Sequence, residues 1–582
     1  MRRWIPACLA LLALGWMQSF PARSQTAGDS KPTTPEAKPE EGGIPVTDAL
    51  VIAKCGACHK RDDKGNLTRI SWERTTPEGW QEVIKRMVRL NGLKLTPDEA
   101  RAVVRSLSAS HGLAPEEARP IAYMSEHRGD DENYPDDNVR ATCAACHLLG
   151  RAASFRRSPA EWKLLADLHV ALYPVVEMTA FHRFPGRGGP ARGAEPAGPP
   201  PPQPVDQAIE YLTKTFPLET PEWAAWRARA RTPRLAGKWL ISAHVAGKGT
   251  WWGEATIDAG ATEGEFNTHI RMRPVSGGAT IERTGKVVVY GGYAWRGRST
   301  GTASGAGPAE IPAELREAMM VSGDQAQAEG RWFWGAYDEF GMDVKLRRAT
   351  GAPALVAVDR AGLKTGAPAQ RVRVMGESLP ARIEAADIDF GSGVTVRRVV
   401  SHTAQEVVAE VDVAANAVAG RRDIAVGQSV LPNAIGVYDR IDYIRVLPRT
   451  DIARLGGSQQ HAKGYAQFEV MAYNRGADNK PNTADDFEVG PVDATWSVEE
   501  FQEAFGDDDK AYVGTLSDTG LFTPALDGPN PERKQLRDNN GTVWIVATAK
   551  NDKDKDGKPL TGRSYLVISV PLYIIWDREI TQ

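Results

Sequence analysis

Cysteine is scarce in this chain of 582 residues: there are five, and Cys8 lies within the N-terminal apolar run. The other four fall in two copies of one pattern, Cys55-Gly56-Ala57-Cys58-His59 and Cys143-Ala144-Ala145-Cys146-His147. None is left over for a disulfide framework. Long hydrophobic runs are missing too. After the first residues nothing approaches the ~18 consecutive apolar positions that a membrane helix needs, so no span is expected. No sign of charge dominates: 71 Lys and Arg stand against 74 Asp and Glu, a net charge of −3, which gives no footprint for nucleic acid. There is no Ser-His-Asp order, phosphate loop or dinucleotide fingerprint, and no residue reads as a substrate-activating base.

What is there is C-x-x-C-H, twice. Two thiols at this spacing add across the vinyl groups of a haem, and the adjacent histidine binds its iron from one face. A C-x-x-C pair alone could be a redox dithiol or half of a zinc site. A zinc site wants its ligand pairs close in sequence, and these motifs lie 88 residues apart. The expected cofactors are two covalent haems, attached at Cys55 and Cys58 and at Cys143 and Cys146, with His59 and His147 on the irons. Such a pair carries electrons one at a time.

Residues 1–24 combine basic, apolar and small-residue regions, as a secretory signal peptide does. C-type haem is attached outside the bacterial cytoplasm, so export and haem together point to the periplasm. Residues 25–44 are polar and proline-rich and read as a flexible leader. Removing the signal takes away Arg2, Arg3 and Arg23 and makes the chain more acidic. About 558 remaining residues are too many for one core. The expected fold is a multidomain α plus β chain: an all-α dihaem cytochrome c domain at 45–232, a β-barrel at 235–350, and immunoglobulin-like β domains at 353–448 and 449–582.

The cytochrome domain reads as a duplication, with repeats at about 45–118 and 120–231. Thr76-Pro77 opens a helix with Trp80, and Ser158-Pro159 opens one with Trp162. In this register Trp80 plus seven is Met87 and Trp162 plus seven is His169. Seven residues make two helical turns, so each donor shares a face with its tryptophan. Met87 and His169 are therefore the expected sixth ligands of the first and second iron. Met178 and His182 are alternatives for the second; Met124, His111 and His127 are weaker candidates. The methionine-ligated haem should have the higher potential. A Gly- and Pro-rich insertion from Pro185 to Pro204 forbids helix and strand and reads as a surface excursion.

Beyond Leu235, alternating segments such as Lys238–Val245, Thr250–Ile257, Glu265–Met272, Lys286–Tyr293 and Arg331–Tyr337 mark the barrel. Trp251, Trp252, Trp332 and Trp334 read as sheet core, with one face able to bury against a partner. Shorter alternating strands separated by turn signals give the two sandwiches. The run Asp552 to Gly557 has the carboxylates of a calcium loop, but Arg563 stands where its closing Glu belongs, so it reads as a charged hairpin turn. The acidic turn Asp478 to Asp486 has no decisive metal spacing.

The order of these parts resembles the alpha subunit of bacterial quinohemoprotein amine dehydrogenase over nearly the whole mature chain. That resemblance implies a heterotrimer with a propeller-shaped beta subunit and a small gamma subunit carrying cysteine tryptophylquinone. Primary amines would then be oxidised on the gamma subunit, and this chain would pass the electrons through its haems to a periplasmic copper protein or cytochrome. The competing expectation is a free-standing dihaem electron carrier whose β domains bind a partner. A dihaem peroxidase would need one iron with an open site, which two filled sixth positions oppose.

Overall fold

Ser or Thr followed by Pro recurs through the N-terminal third, and four such pairs start helices in the computed structural model of this chain. It describes residues 42–121, 137–143, 149–182, 202–457, 460–502, 506–554 and 556–571. The side chains of Thr76, Thr96, Ser158 and Thr220 accept the free amide protons of Gly79, Glu99, Glu161 and Trp223. The proline that follows each has no amide to leave unpaired. The expected signal peptide and most of the leader lie outside the described residues, as does most of the Pro185–Pro204 insertion.

In chain order the helical region comprises α1 (Ala49–Cys55), β1 (Glu73–Thr75), α2 (Pro77–Asn91), α3 (Pro97–Ser110), α4 (Pro115–Ala118), α5 (Asp137–Cys143), α6 (Gly150–Ala153), β2 (Phe155–Arg157), α7 (Pro159–Leu172), α8 (Pro204–Thr215) and α9 (Pro221–Arg229). Among the described residues no helix is long and apolar enough to cross a membrane.

The two halves meet at a two-stranded ribbon. β1 and β2 pair antiparallel, with Glu73 opposite Arg157, Arg74 opposite Arg156 and Thr75 opposite Phe155. Arg74 and Arg156 are equivalent residues, each six before its tryptophan, so the ribbon has local two-fold character centred on that pair. The surroundings repeat as well. Thr75 N and Trp80 Nε1 donate to the His111 carbonyl, at 3.1 Å each, while Arg157 N and Trp162 Nε1 donate to the Phe216 carbonyl, at 3.3 Å each. Short buried strands cannot leave charges uncompensated. Arg74, fully buried, makes a two-pronged bond to Glu117 (2.8 and 2.9 Å) and donates to the Leu218 and Gly112 carbonyls. Arg156 Nε reaches the same carboxylate at 3.1 Å, and Arg157 pairs with Glu73 at 2.8 Å.

The barrel follows as an eight-strand antiparallel meander: β3 (Gly237–Val245), β4 (Gly249–Ala259), β5 (Glu265–Pro274), β6 (Ile281–Tyr290), β7 (Ala294–Gly301), β8 (Glu314–Val321), β9 (Gln327–Trp334) and β10 (Phe340–Arg348). It closes where β10 pairs with β3. Alternate residues fill it, for example Phe266, Ile270 and Met272 from β5, with Trp239, Trp295 and Trp332 among the largest. All four singled-out tryptophans are buried: Trp251, Trp332 and Trp334 join the interior, whereas Trp252 packs outward against Val275, Ala357 and Met375.

One strand ends earlier than the expected Lys286–Tyr293. β6 stops at Tyr290, and Gly291 and Gly292 turn the chain with φ of 55° and 83°, conformations open to glycine but strained for other residues. A side chain on Gly292 would also sit 2.9 Å from the Arg231 carbonyl. This close turn carries Tyr290 and Tyr293 into the helical core beside Trp226, whose ring meets Tyr293 edge-on at 5.5 Å. Arg296 pairs with Glu78 of α2, and Arg105 of α3 pairs with Glu265 at 2.6 Å. The barrel is thereby keyed into the haem-motif region.

Two β-rich blocks complete the chain. In the first, four-strand sheets face each other over Leu355, Val372, Phe390, Val411 and Ile435. In the second, sheets enclose Ala453, Phe468, Phe522, Val543 and Leu566. Asp552 and Lys553 end the strand Gly541–Lys553, and Asp554 and Gly557 lie in the hairpin turn that leads to Pro559–Ser569.

His244 of β3 ties the barrel to the last block through Glu469, at 2.9 Å. Burial disfavours the imidazolium, but the bonded carboxylate outweighs this and raises its pKa. A raised pKa means stabilisation that is full below the ordinary value of 6.5 and lost as pH rises through the folded value. With His244 more than a third exposed, the effect should stay within about 1 kcal/mol. Thermal unfolding of wild type and His244→Ala should therefore differ more at pH 6 than at pH 9; a difference that does not change with pH removes His244 from the linkage.

Candidate haem sites

The first motif begins where α1 ends. Asp48 caps the helix by accepting from Val51 N, and a tight turn follows, with Cys58 N and His59 N both donating to the Cys55 carbonyl, at 3.1 and 2.9 Å. Cys55 is half-buried and Cys58 exposed. Burial pushes the Cys55 thiol up, reinforced by Cys58, the opposite of the activated thiolate in a redox dithiol. The His59 ring is held by the Thr68 carbonyl oxygen, 2.7 Å from its Nδ1. A carbonyl only accepts, so Nδ1 carries the proton and Nε2 keeps its lone pair for a metal. Among the described residues Cys55, Cys58 and His59 do not converge on a common point, as zinc would require; the one group of three that does is Asp478, Asp485 and Asp486. Those carboxylates accept from neighbouring amides and from Thr483 in an exposed turn. The donor set at Cys55–His59 fits haem attachment.

Met87 lies on α2 one turn beyond Ile84, half-buried, with its sulfur 3.7 Å from the Asn91 amide nitrogen. The same helix buries Trp80 and Ile84 in a core to which Val83, Val88 and Cys55 also pack. His111, by contrast, is fully occupied: Nε2 meets the Ile44 carbonyl at 3.1 Å and Nδ1 the Ser110 hydroxyl at 2.8 Å. Burial pushes it down to about 4, so it is a neutral core histidine.

In the second unit Cys143 is the last residue of α5 and is half-buried. Cys146 and His147 lie outside the described residues, as do Met124 and His127. His169 is on α7, half-buried, with Nδ1 2.8 Å from the Leu165 carbonyl and its ring 6.2 Å from Phe181. As at His59, the carbonyl contact places the proton on Nδ1. Met178 is 69% exposed, and His182 contacts the Glu177 carbonyl at 3.3 Å. Leu172, Tyr173 and Val175 form exposed apolar surface in this unit.

Sequence reasoning missed the Thr68 carbonyl that holds His59 and the residues that join the units, the Arg69–Glu161 pair (2.7 Å) and the Arg74–Glu117–Arg156 group. One signal was available, the recurrence of Arg74-Thr75-Thr76-Pro77 as Arg156-Arg157-Ser158-Pro159.

Four family models match successive stretches of the chain. They are the haem-binding model of the quinohemoprotein amine dehydrogenase alpha subunit at 46–186, and the models for domain II of that subunit at 232–349, domain III at 352–439 and domain IV at 444–579. No curated relative matches. Among solved structures, human protocadherin-24 EC1-2 shares 11% identity over 38% of this chain and 97% of its own, with a TM-score of 0.15. At that score the likeness carries no argument.

Proposed function

Because this chain belongs to the family of quinohemoprotein amine dehydrogenase alpha subunits, we propose that it is the electron-transfer subunit of a periplasmic amine dehydrogenase. In this reading it takes electrons from a peptide-derived quinone on a gamma subunit during oxidative deamination of primary amines and delivers them to an external copper protein or cytochrome. The observation that carries the proposal is the His59 contact: a C-x-x-C-H turn in which the Thr68 carbonyl fixes the imidazole with Nε2 open for iron.

Bound haem would supply one-electron chemistry. Cys55 and Cys58 would hold the first and Cys143 and Cys146 the second, with His59 and Met87, then His147 and His169, as axial donors. The paired units support two carriers of graded potential, since the thioether of Met87 favours ferrous iron more than a second imidazole does. Immunoglobulin-like folding of the blocks at 353–448 and 449–582 is supported by parallel pairing of an early strand with the last: Gly362–Lys364 with Ser429–Tyr438, and Thr450–Arg454 with Pro559–Ser569. The absence of a candidate base in the sequence suits a division of labour with another subunit.

Native purification tests the function. A small co-purifying chain that stains for quinone cycling, with haem reduction on adding a primary amine, is the expected result. A lone dihaem chain that amines cannot reduce would leave the free-standing carrier. For the first iron, Met87→His should lower the potential and abolish the far-red sulfur-to-iron band of the oxidised protein; an unchanged band would remove Met87 from the iron.

A further inference from the structure

We propose that Arg69 and Glu161 are positioning residues for His59, so that the second unit orients the proximal ligand of the first. The proposal rests on the haem reading above. Arg69 has φ 71° and ψ −55°, the strained γ-turn conformation that a residue with a side chain holds only when its surroundings force it. The peptide joining Thr68 to Arg69 carries the carbonyl that accepts from His59 Nδ1. The strained φ and the orientation of that carbonyl thus belong to one rigid plane.

Three contacts hold the two residues that flank this plane. Thr68 N donates to the Lys60 carbonyl at 3.0 Å, and Trp72 N donates to the Arg69 carbonyl at 3.2 Å. The third comes from the other unit: Arg69 Nε donates to Glu161 Oε2 at 2.7 Å. Glu161 is itself immobilised. It occupies the third position of α7, its amide is capped by Ser158, and its side chain is 6% exposed. The Arg69 stem lies at the surface, 45% exposed, so burial does not hold it in place, and the carboxylate is its anchor.

A hydrogen bond at Nδ1 makes the imidazole a stronger donor at Nε2, which favours ferric iron and lowers the potential. Releasing Arg69 lets the plane relax, weakens that bond and raises the potential. Loss of a nearby cation acts in the opposite direction, because it favours the ferric charge. The sign of the shift therefore separates positioning from plain electrostatics.

The experiment is potentiometry on the full haem-loaded chain. The first haem's wave is assigned as the one missing from a Cys55→Ser/Cys58→Ser chain. Arg69→Ala is expected to raise that midpoint by about a tenfold change in redox equilibrium, about 59 mV for one electron, with the second wave unmoved and two haems retained. Arg69→Lys, which can still donate to Glu161, should recover most of the shift. A downward shift or none in Arg69→Ala, with both haems present, overturns the proposal. If Arg69→Ala does not accumulate, Arg69→Met, which cannot donate to Glu161, serves: it should raise the same wave alone, and a lowered or unmoved wave overturns the proposal. Peptide mapping of the wild type distinguishes the underlying reading, since unmodified Cys55 and Cys58 would defeat haem attachment itself before any variant is compared.

Discussion

Glu117→Gln is expected to lower the stability of the helical region by about 3–5 kcal/mol, the cost of removing one partner from a buried ion pair. This carboxylate is the shared counter-ion of Arg74, which is fully buried, and Arg156, which is nearly so. It also accepts from Ala114 N and the Thr220 hydroxyl, both at 2.8 Å. A neutral amide would leave two guanidiniums facing each other in the core. Burial by itself would raise the Glu117 pKa, but the Arg74 bond and the charges of Arg74 and Arg156 outweigh it and hold the carboxyl below its ordinary 4.5. The sign follows: a depressed folded pKa gives stability that is present above 4.5 and lost as pH falls through the folded value. Thermal unfolding followed at the haem bands should therefore show a steep acid limb in the wild type and a flatter one in Glu117→Gln. Equal midpoints for the two chains at neutral pH would show that the network contributes nothing net.

The second large effect is chemical. Cys55→Ser/Cys58→Ser is expected to halve the covalent haem, from two per chain to one, measured as the pyridine haemochrome against protein concentration. His59 would keep its Thr68 contact and the helices their caps, so the chain should still fold. Retention of two covalent haems would exclude Cys55 and Cys58 as the attachment residues. Loss of bound zinc in place of haem would revive the metal-site alternative, which the failure of Cys55, Cys58 and His59 to converge on one point opposes.

Much of the helical region was legible because its signals are local. A C-x-x-C-H motif occupies five consecutive residues, and a Thr-Pro or Ser-Pro helix start needs only its own first turn to be satisfied. The barrel was legible as alternation, although only five of its eight strands stood out. The strands at Ala294–Gly301 and Glu314–Val321 were obscured by residues such as Glu317, buried inside the barrel where it accepts from Trp295 Nε1 at 2.9 Å. An inward charge breaks the pattern that alternation depends on. The end of β6 was missed because Tyr290 and Tyr293 both read as strand residues, and only the helical core they enter explains the glycine turn between them.

The sequence by itself determined the two C-x-x-C-H motifs, the recurrence of the Thr/Ser-Pro helix starts and the mainly β character of the described residues after Leu235, because each depends on neighbours within a turn or two of chain. Only the tertiary structure decided how the units meet. Arg74 pairs across to Arg156, Glu117 serves both, and Glu161 reaches Arg69 beside the carbonyl that holds His59. These partners lie 39 to 92 residues apart, and the energy that selects them comes from burial, where an unpaired charge is too costly to keep. No local pattern records which carboxylate will answer which guanidinium until the core has closed around them.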